Sequence, residues 1–442
     1  MAARVDAVVV GGGFAGLSAA TRLASAGARV LVLEAKARLG GRATAFADRG
    51  SGEMVDNGQH VLLGCYTETF AFLRAIGAAD RVALQPQLAV TMIDTRGRRS
   101  RLSCPPLPAP LHLLAGVLEW DALAWSDRLS VLGLGRAIRK QLASPGETVE
   151  NWLIRNRQTA RLREMLWDPL ALAALNQPPA RAAAPVFARV LAQMFSSDPR
   201  AAAIALPVAP LDEMYAGPAR AYIERHGGEV RTGAPARIVL EGDRVAAVES
   251  GAETWTPAHV VSAVPWFALA DLFAAVPPSL ATIVDGARAL ESSPIVTVNL
   301  WFDRPVLDEP FVGLPGRTMQ WAFDRQRYVS LVSSGADEVL RKTNEELIAI
   351  AHGELVDALP AVRSARRVRG GVVREPRATF SLAPGQPPRP STATPVRGLW
   401  LAGDWIDTGL PATIESAVVS GHRAADLAIA TTSSGRNEPI PR

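Results

Sequence analysis

The sequence is short of cysteine and lysine, and it contains no long apolar run. Its 442 residues include two cysteines, Cys65 and Cys104, and no CxxC pair, which excludes a disulfide framework and argues against a disulfide reductase. The amino terminus enters its first apolar strand without a charged and then apolar leader, so we expect a cytoplasmic protein. The two longest uncharged stretches, near 102–118 and 254–270, contain prolines and are shorter than the ~20 apolar residues of a membrane span.

The chain also lacks an excess of charge of one sign. Its 47 Lys and Arg residues are opposed by 43 Asp and Glu residues, a net charge of +4, which is too weak to indicate a nucleic-acid partner. We expect neither a nucleic-acid partner nor a metal site. Almost half of the residues are apolar, as is typical of a globular protein, and the length predicts two domains.

The most informative stretch lies close to the amino terminus. Val8-Val9-Val10 is typical of a buried parallel strand, and Gly11, Gly13 and Gly16 then occupy the fixed places of a GxGxxG motif. The first glycine permits a sharp strand-to-helix turn, the second lets the backbone approach a pyrophosphate, and the third lets the helix pack closely on the strand. The motif therefore predicts a dinucleotide site with its phosphates at a helix N-terminus.

The elements after the glycines have the spacing of a βαβ unit. We predict a helix over Phe14 to Ser25, a stop at Gly27, and a second buried strand from Arg29 to Leu33. Glu34 stands at the end of that strand, where its carboxylate can accept hydrogen bonds from both hydroxyls of a ribose. Strand, turn, helix, strand and acid together indicate a Rossmann-like nucleotide-binding unit.

Further motifs at both ends of the chain indicate which dinucleotide is bound. Four of them resemble motifs of the amine oxidase and phytoene desaturase superfamily: Leu39-Gly40-Gly41-Arg42, Asp56-Asn57-Gly58-Gln59-His60, the pair Gly403-Asp404 after an apolar strand, and the helix start around Pro411-Ala412-Thr413. The resemblance implies FAD as the cofactor. It also implies an α/β fold, in which a Rossmann-like FAD-binding domain with a parallel sheet carries a discontinuous substrate domain of mixed sheet and helices.

Carried over residue by residue, the resemblance implies a set of FAD contacts. The GGR turn would lie against the pyrophosphate, Asp404 would bind the ribityl-pyrophosphate part, and the start of the last helix would lie beside the flavin ring. A return of the chain near Arg237 and Ile238 would contact the adenine side. The predicted FAD contacts are Gly11, Gly13, Phe14, Ala15, Gly16, Glu34, Ala35, Gly41, Arg42, Asn57, Gly58, Gln59, Arg237, Ile238, Gly403, Asp404, Pro411, Ala412 and Thr413.

The superfamily layout divides both domains into pieces along the chain. We expect the FAD-binding domain to consist of residues 1–80, 206–290 and 396–431, and the substrate domain of residues 81–205 and 291–395. Residues 432–442 are polar, and we expect them to be disordered. This layout places the flavin ring at the interface between the domains, where clefts form.

Two internal stretches narrow the resemblance. Val55 to Tyr66 and Leu166 to Asn176 closely resemble the squalene-associated FAD-dependent branch of the superfamily, and the likeness extends over residues 5–430. It implies that reduced FAD replaces the allylic hydroxyl of an apolar C30 isoprenoid by hydride, giving squalene for squalene and hopanoid synthesis. The sequence contains no second complete GxGxxG, so we expect an external electron donor, a reductase or free reduced flavin.

Loss of the hydroxyl needs a proton donor, because hydroxide is a poor leaving group. His60 lies just past a strand that approaches the flavin in the superfamily, and an ordinary imidazole pKa of about 6.5 suits proton donation near neutrality. Asp168 lies in apolar surroundings, where burial would keep its carboxyl protonated. Each candidate has a structural alternative: a core histidine, and the N-cap of a helix that restarts at Pro169. We name His60 and Asp168 as the two catalytic candidates.

The same motifs leave other functions open. A desaturase or an amine oxidase would run hydride in the opposite direction, from substrate to FAD, with the same cofactor residues. The chain has three lysines, Lys36, Lys140 and Lys342, and none lies in a flavin-side motif, which disfavours the amine oxidase. A non-catalytic prenyl-lipid carrier of the same fold is disfavoured by the intact glycines, Glu34 and Asp404.

The stretch from Leu111 to Gln141 is helical in pattern and unusually apolar. It follows a proline-rich connector and the arginines Arg96, Arg98, Arg99 and Arg101. Arginines beside a proline-broken apolar segment with tryptophans are typical of a peripheral membrane contact, here on the inner face of the cytoplasmic membrane. The alternative is that these helices cover the core of the substrate domain and the arginines form a solvated hairpin tip.

Overall fold

The computed structural model describes residues 5–140 and 142–435, which include a parallel sheet, a larger mixed sheet and many helices. The strands are β1 (Ala7–Val10), β2 (Val30–Glu34), β3 (Ala45–Ala47), β4 (Met54–Asp56), β5 (Leu62–Leu63), β6 (Val82–Leu84), β7 (Ala89–Ile93), β8 (Arg99–Ser103), β9 (Ile204–Pro207), β10 (Glu229–Thr232), β11 (Arg237–Glu241), β12 (Arg244–Ser250), β13 (Glu253–Trp255), β14 (His259–Ser262), β15 (Ser292–Phe302), β16 (Phe311–Gly313), β17 (Trp321–Asp324), β18 (Tyr328–Ser334), β19 (Arg367–Phe380) and β20 (Leu399–Leu401). The α-helices are α1 (Phe14–Ser25), α2 (Thr67–Ala75), α3 (Leu111–Glu119), α4 (Trp125–Ser130), α5 (Gly135–Arg139), α6 (Val149–Arg155), α7 (Ala160–Leu162), α8 (Asp168–Leu175), α9 (Ala184–Met194), α10 (Gly217–Arg225), α11 (Ala281–Ala289), α12 (Asn344–Ala358), α13 (Pro360–Ser364) and α14 (Ile414–Gly435).

The parallel sheet has five strands in the order β10-β2-β1-β14-β20. Its central strand β1 is buried on both faces, because Val8 and Val10 belong to one apolar cluster while Ala7 and Val9 belong to another. Burial on both faces explains why β1 and β2 read as continuous apolar runs rather than alternating ones. The two buried strands predicted at the amino terminus are confirmed as β1 and β2.

Helix α1 connects β1 to β2 and spans Phe14 to Ser25, the predicted range. It is followed by Gly27, whose φ of +84° is a left-handed conformation that favours glycine after a helix. The last helix, α14, packs so closely on α1 that a Cβ on Gly421 would lie 2.3 Å from the carbonyl oxygen of Ala15. The N-terminal ends of both helices reach the same cavity, which is described below.

The mixed sheet has seven strands in the order β19-β15-β18-β17-β16-β7-β8, antiparallel except for the pair β16 and β7. The register of β19 on β15 shifts at Pro294, which faces the three residues between Glu375 and Thr379. Such bulges re-aim side chains and are common beside ligand sites. A parallel nucleotide-binding sheet with a separate mixed sheet and helices confirms the predicted α/β fold.

Residues 111–140 form several short helices rather than a continuous one, and Gln141, the last residue of the predicted helical stretch, lies outside the described residues. Helix α3 ends at Glu119, and α4 and α5 are joined by the 3-10 turn Val131–Leu134, in a stretch where Gly133 and Gly135 weaken helix formation. Further along, residues 160–175 form a longer helical segment, in which Arg163–Trp167 is a π-helical turn between α7 and α8. Turns of this kind often occur at functional sites.

The two sheets draw their strands from alternating parts of the chain. The parallel sheet uses strands from residues 1–80, 206–290 and 396–431, and the mixed sheet uses strands from 81–205 and 291–395, while the domain boundaries themselves remain a prediction. Helix α14 continues to Gly435, four residues into the range predicted to be disordered, and 436–442 lie outside the described residues. None of the helices in residues 5–140 and 142–435 is long and apolar enough to cross a membrane.

Candidate active site

A cavity of about 1340 Å³ lies between the parallel sheet and the mixed sheet. Val10 and Glu34, at the carboxyl ends of β1 and β2, line one side, and Ile295 and Val332 of the mixed sheet line another. Open parallel sheets bind their ligands at the carboxyl ends of the strands. The volume exceeds the roughly 300–1,000 Å³ of a typical small-molecule site, so the cavity has room for more than one molecule.

The cavity has two chemically different halves. The polar half is lined by the glycine turns, the ends of β1 and β2, residues 57–60 and the start of α14. The apolar half is lined by β7, β8, α3, the turn 131–138 and the helix 165–174. From 88 to 174 every lining residue is apolar or glycine: Leu88, Val90, Met92, Leu102, Cys104, Ala109, Pro110, Leu111, Leu113, Leu114, Val117, Trp120, Val131, Leu132, Gly135, Ile138, Met165, Leu166, Trp167, Pro169, Leu170, Ala173 and Ala174.

The three glycines of the GxGxxG turn have different surroundings. A Cβ on Gly16 would lie 1.9 Å from the carbonyl oxygen of Gly11, and a Cβ on Gly11 would lie 2.7 Å from that of Ala263. Close backbone packing therefore requires both of these glycines. A Cβ on Gly13 would meet no protein atom closer than 3.8 Å, and Gly13 faces the polar half. Because the fold does not require Gly13, the space beside it fits the approach of a pyrophosphate.

Glu34 lies buried at the end of β2, next to the first glycine turn. Its two carboxylate oxygens accept hydrogen bonds from the backbone N–H groups of Gly12, at 2.7 Å, and Lys36, at 2.8 Å. These bonds fix the carboxylate at the wall of the polar half. Its remaining lone pairs can accept hydrogen bonds from the hydroxyls of a ribose.

Tyr215 holds the two glycine turns together, although no sequence motif marks it. Its ring stacks on Phe14 with centroids 3.6 Å apart, and its hydroxyl oxygen lies 2.9 Å from the carbonyl oxygens of both Gly40 and Ala43. Burial raises the pKa of this hydroxyl, so it stays protonated and donates. The residue lies in the π-helical turn Asp212–Ala216, a local irregularity that the sequence pattern does not reveal.

Arg42 and Asp404, both predicted FAD contacts, meet at the wall of the polar half. The guanidinium of Arg42 pairs with both carboxylate oxygens of Asp404, with Nη1 and Oδ2 3.1 Å apart, and also donates to the carbonyl oxygen of Ala378. It lies over the ring of Trp266, 5.1 Å from the ring centroid. The pair brings together two motifs that are 362 residues apart in the chain.

The cavity brings together most of the predicted FAD contacts. Those that line it are Gly11, Gly13, Phe14, Ala15, Glu34, Ala35, Gly41, Arg42, Asn57, Gly58, Gln59, Gly403, Asp404, Ala412 and Thr413. The predicted contacts that do not line it are Gly16, Arg237, Ile238 and Pro411. Of these, Gly16 has the packing role that the motif predicts for it.

Arg237 and Ile238 are displaced from the cavity because they belong to another sheet. Strand β11 begins at Arg237 and pairs with β12, and Ile238 is buried in the core. The cavity is lined instead by Pro235 and Ala236, in the turn between β10 and β11. The shift is one or two residues, which motif spacing alone does not resolve.

His60, the first catalytic candidate, lines the cavity. Burial lowers the pKa of its imidazole, against an opposing effect of the Asp56 carboxylate. Its Nδ1 lies 3.1 Å from the carbonyl oxygen of Gly58, which assigns the proton to Nδ1 and leaves Nε2 as an acceptor. A neutral imidazole in this tautomer accepts a proton more readily than it donates one. The expectation that His60 donates near neutrality therefore does not fit its surroundings.

Asp168, the second candidate, does not line the cavity. Its neighbours Trp167, the last residue of the π-helical turn, and Pro169 do so instead. Burial raises the pKa of the Asp168 carboxyl, as predicted, and its Oδ1 is buried with no hydrogen-bond partner among the described residues. The N-cap alternative is wrong, because Asp168 has helical backbone angles (φ −69°, ψ −45°) and the helical segment continues through it.

One cavity carboxyl, that of Glu375, is marked by no motif in the sequence. Asn57 Nδ2 donates to Glu375 Oε1 at 3.1 Å, and the same Nδ2 donates to the carbonyl oxygen of Arg42 at 2.8 Å. Asn57 is a predicted FAD contact, so this hydrogen bond links a predicted site residue to Glu375, which the sequence motifs do not mark. Glu375 faces the cavity because it pairs with Ile295, which also lines the cavity, and the sequence pattern does not reveal this register.

The apolar half opens at the protein surface. Leu111 and Leu132 line the cavity and are nonetheless 55% and 56% exposed. Trp125 and Leu129, on α4 next to Leu132, are also exposed, and the guanidinium of Arg128 lies over the Trp125 ring, 4.7 Å from its centroid. We call the four exposed residues Leu111, Trp125, Leu129 and Leu132 the apolar mouth.

Known proteins resemble this chain over nearly its whole length. The sequence model of the family described as flavin containing amine oxidoreductase matches residues 14–429. A hydroxysqualene dehydroxylase of Rhodopseudomonas palustris is 33% identical, with 96% of this chain and 98% of the relative covered. A 15-cis-phytoene desaturase of Synechococcus elongatus is 26% identical, with 96% and 95% covered. A solved oxidoreductase from Methanosarcina mazei has a TM-score of 0.74 at 18% identity, covering 95% of this chain and 99% of that one, and supports the fold alone.

Proposed function

The chain belongs to the flavin containing amine oxidoreductase family, and from this premise we propose that it removes the hydroxyl of hydroxysqualene to give squalene. Members of the family bind FAD, and the chain is an FAD-dependent oxidoreductase. The observation that carries the proposal is one continuous cavity whose polar half fits a dinucleotide and whose apolar half fits a long isoprenoid. The relative named hydroxysqualene dehydroxylase is also more similar than the one named phytoene desaturase.

The residues of the polar half fit FAD. The open space at Gly13, the fixed carboxylate of Glu34 and the N-terminal end of α14 suit a pyrophosphate, a ribose and a flavin ring, respectively. We propose that these groups, with Arg42 and Asp404, hold the cofactor. When bound and reduced, FAD supplies a hydride, which no amino-acid side chain offers.

The residues of the apolar half fit a C30 isoprenoid. Burial of apolar surface contributes roughly 25 cal/mol per Å², so a long hydrocarbon gains affinity along the whole wall. Burial raises the pKa of the Cys104 thiol to about 11, so this titratable group on the wall is uncharged near neutrality. A dry, uncharged wall keeps water from capturing the allylic cation that forms as the hydroxyl leaves.

A phytoene-type desaturase is the second candidate, supported by the relative of that name. The same wall would accept a carotenoid precursor, and the same polar half would hold FAD. The two candidates differ in the direction of hydride transfer. The dehydroxylase needs a proton donor to the leaving hydroxyl, whereas the desaturase needs none at that place.

We propose an external reductase or free reduced flavin as the electron donor. The sequence has one complete GxGxxG, and its first two glycines, Gly11 and Gly13, line the polar half, where we place FAD. A nicotinamide cofactor would need a second dinucleotide site. Steady-state turnover with reduced flavin alone, compared with turnover on NADPH alone, distinguishes these sources.

We also propose that the apolar mouth rests on the inner face of the cytoplasmic membrane. Substrate and product of this kind partition into lipid, and Leu111 and Leu132 connect the cavity to the surface. Between 125 and 140 the sequence has four basic residues and one acidic residue, which suits anionic lipid: Arg128, Arg136, Arg139 and Lys140 against Asp127. A substrate could then enter from the bilayer without crossing water.

An anaerobic product assay with purified holoenzyme tests the proposed function. Chemically reduced enzyme is expected to convert hydroxysqualene into squalene, detected by mass spectrometry of the extracted lipids. Oxidised enzyme with phytoene and an electron acceptor is expected to give no desaturated product. Desaturated product in the second assay, with no squalene in the first, would replace the dehydroxylase by the desaturase.

A further inference from the structure

We propose that Glu375 is the proton donor to the leaving hydroxyl, an inference that rests on the proposed function. Neither candidate named from the sequence suits this role. His60 presents an acceptor Nε2, because its Nδ1 proton points to the carbonyl oxygen of Gly58. Asp168 is not on the cavity wall. A proton donor must face the substrate, so the remaining candidates are the carboxyl groups that line the cavity.

Four carboxyl groups in the described part of the chain line the cavity: those of Glu34, Asp271, Glu375 and Asp404. Glu34 is held by two backbone N–H groups at the end of β2, and Asp404 is paired with an arginine. Asp271 is exposed to solvent. Glu375 is partly buried, and its carboxyl accepts a hydrogen bond from the neutral amide of Asn57. Among these four groups, the Glu375 carboxyl is therefore the one that is neither paired with an arginine, nor held by two backbone N–H groups, nor exposed, so it is the one placed to exchange a proton with a bound hydroxyl.

The pairing of β19 with β15 places Glu375 on the cavity wall. Ile295 pairs with Glu375, and the next pairing along β19 is at Thr379, so Pro294 alone faces the residues between them. Glu375, Ala378 and Thr379 all line the cavity. Along a regular strand, residues 375 and 378 would point to opposite faces. Ile295 also pairs with Ser334, and Ser334, Ile295 and Glu375 all line the cavity, so Glu375 reaches the wall in regular register. The bulge after it turns Ala378 toward the same cavity.

Asn57 orients the carboxyl of Glu375. Its Oδ1 accepts from the N–H of Thr44 at 3.1 Å, which assigns Nδ2 as the group that donates to Glu375 Oε1. The bond to Oε1 leaves Oε2 to carry the proton. The same Nδ2 donates to the carbonyl oxygen of Arg42, in the turn predicted to lie against the pyrophosphate. One amide thus positions both the acid and the cofactor turn.

His60 then has a complementary role. His60 and Glu375 both line the cavity, and Glu375 is bonded to Asn57, three residues before His60. The substrate hydroxyl can donate its hydrogen to Nε2 of His60 while its oxygen accepts the proton of Glu375. These two contacts would orient the hydroxyl before it leaves.

In this step the proton of Glu375 transfers to the hydroxyl oxygen, the C–O bond breaks with its electron pair on oxygen, and water leaves. The allylic carbon accepts a hydride from reduced FAD, which is thereby oxidised. The Glu375 carboxyl would then be restored by a proton from the reduced cofactor, which would supply two hydrogens in all, one of them as the hydride. The overall reaction is an alcohol and reduced FAD going to a hydrocarbon, water and oxidised FAD.

Glu375→Gln is the variant that tests the donor, because an amide keeps the size and can accept from Asn57 but has no acidic proton. We expect unchanged FAD content and melting temperature, and a fall of roughly 100-fold or more in the rate at which hydroxysqualene reoxidises the reduced flavin. Glu375→Asp, which keeps an acid, is expected to recover part of that rate. Glu338→Gln, at an exposed site, is the matched control and is expected to react at the wild-type rate.

Two further readouts separate proton donation from a structural role. The allylic acetate ester of the substrate has a better leaving group, so Glu375→Gln is expected to process this ester at close to the wild-type rate. A structural role would slow the ester and the alcohol alike. In oxidised holoenzyme, titration of the bound-flavin fluorescence is expected to show that Glu375→Ala loses about 3- to 10-fold in its preference for hydroxysqualene over squalene, as for one lost hydrogen bond.

The outcomes distinguish this inference from the proposed function. If the reduced wild-type enzyme converts no hydroxysqualene, the proposed function fails. If the wild-type enzyme converts it and Glu375→Gln reacts equally fast, only the role of Glu375 fails. Should Glu375→Gln lose its FAD, Glu375→Asp decides: a recovered rate with the alcohol supports the donor, and a slow reaction with both alcohol and ester overturns it.

Discussion

The two halves of the cavity are built in different ways. The polar half gathers short turns from distant parts of the chain, and individual atoms at Gly13, Glu34 and Arg42 decide what fits. The apolar half is a wall of side chains from short helices and strands, where size and dryness matter more than any one atom. A cofactor site can therefore be recognised from a sequence motif, whereas a hydrocarbon site shows only as an apolar composition of the segments that line it.

The largest expected effect is the loss of folding in one of two variants of the GxGxxG turn. Gly16→Ala would place a Cβ 1.9 Å from a backbone oxygen, so we expect no folded protein. Gly13→Ala is expected to fold with an unchanged apoprotein melting temperature, because its Cβ would meet no protein atom closer than 3.8 Å. FAD affinity should fall roughly 10- to 100-fold, as for overpacking by 1–3 kcal/mol.

Thermal melts of the apoprotein and FAD titrations by fluorescence measure both variants. If Gly13→Ala bound FAD as tightly as the wild type, the pyrophosphate would not lie beside this glycine. The distinction between Gly16, which folding requires, and Gly13, which FAD binding requires, would then fail.

A charge in the apolar half should act on the substrate alone. Leu170 lines this half and lies far along the chain from the glycine turns, so Leu170→Asp is expected to leave FAD content unchanged. Squalene formation should fall about tenfold or more, because a carboxylate in the wall disfavours a hydrocarbon beside it. Leu170→Met is the size-matched control and should keep activity. Loss of FAD from Leu170→Asp would show that the halves are not independent.

The apolar mouth is expected to contribute to binding of anionic vesicles. Replacing both Trp125 and Leu129 by Ser should weaken co-sedimentation with such vesicles roughly tenfold or more, because each exposed side chain contributes apolar area on insertion. The control replaces Val208 and Val368, which are exposed to a similar degree elsewhere, and should bind as the wild type does. If both double variants lost vesicle binding equally, the apolar mouth would have no specific role in membrane binding.

The smallest expected effect concerns an ion pair between the scaffolds of the two halves. Asp48, next to β3, pairs with Arg369 of β19, and this guanidinium holds the pKa of Asp48 well below its usual range. A depressed folded-state pKa gives stability that is present above the unfolded pKa of about 4 and is lost as the pH falls further. Asp48→Asn should therefore lower the free energy of unfolding by on the order of 1 kcal/mol at pH 7.

Urea unfolding at pH 7 and at pH 3 measures this effect. The difference between wild type and Asp48→Asn is expected to shrink at pH 3, where the unfolded-state carboxylate of the wild type is protonated. A difference that stays constant between the two pH values would show that hydrogen bonds other than the ion pair carry the contribution of Asp48.

The parts of the fold that depend on backbone geometry could be predicted from the sequence. Helix α1 has its predicted bounds, and Gly11 and Gly16 have their predicted roles, because close backbone approaches allow few residues other than glycine. Arg42 and Asp404 meet although they are 362 residues apart; the family resemblance implied that each contacts FAD, and the pairing between them was not predicted.

The parts that depend on irregular geometry could not be predicted. Tyr215 acts through a π-helical turn, and Glu375 reaches the cavity through the register of β19 on β15. Neither feature has a signature in the spacing of apolar residues. His60 and Asp168 were named as catalytic candidates from residue type and sequence neighbours alone. Direction and protonation depend on surroundings that only the folded chain shows, namely a carbonyl oxygen at Nδ1 and a place off the cavity wall.

An anaerobic titration of the reduced holoenzyme with hydroxysqualene tests the central claim, that a hydrocarbon alcohol lies beside the flavin in one cavity. The absorbance of the bound flavin reports its oxidation, and extraction of the same sample reports squalene. We predict one squalene formed for each flavin reoxidised, and no reoxidation by squalene itself. A flavin that stays reduced in excess hydroxysqualene, or one that reoxidises without forming squalene, would contradict the account.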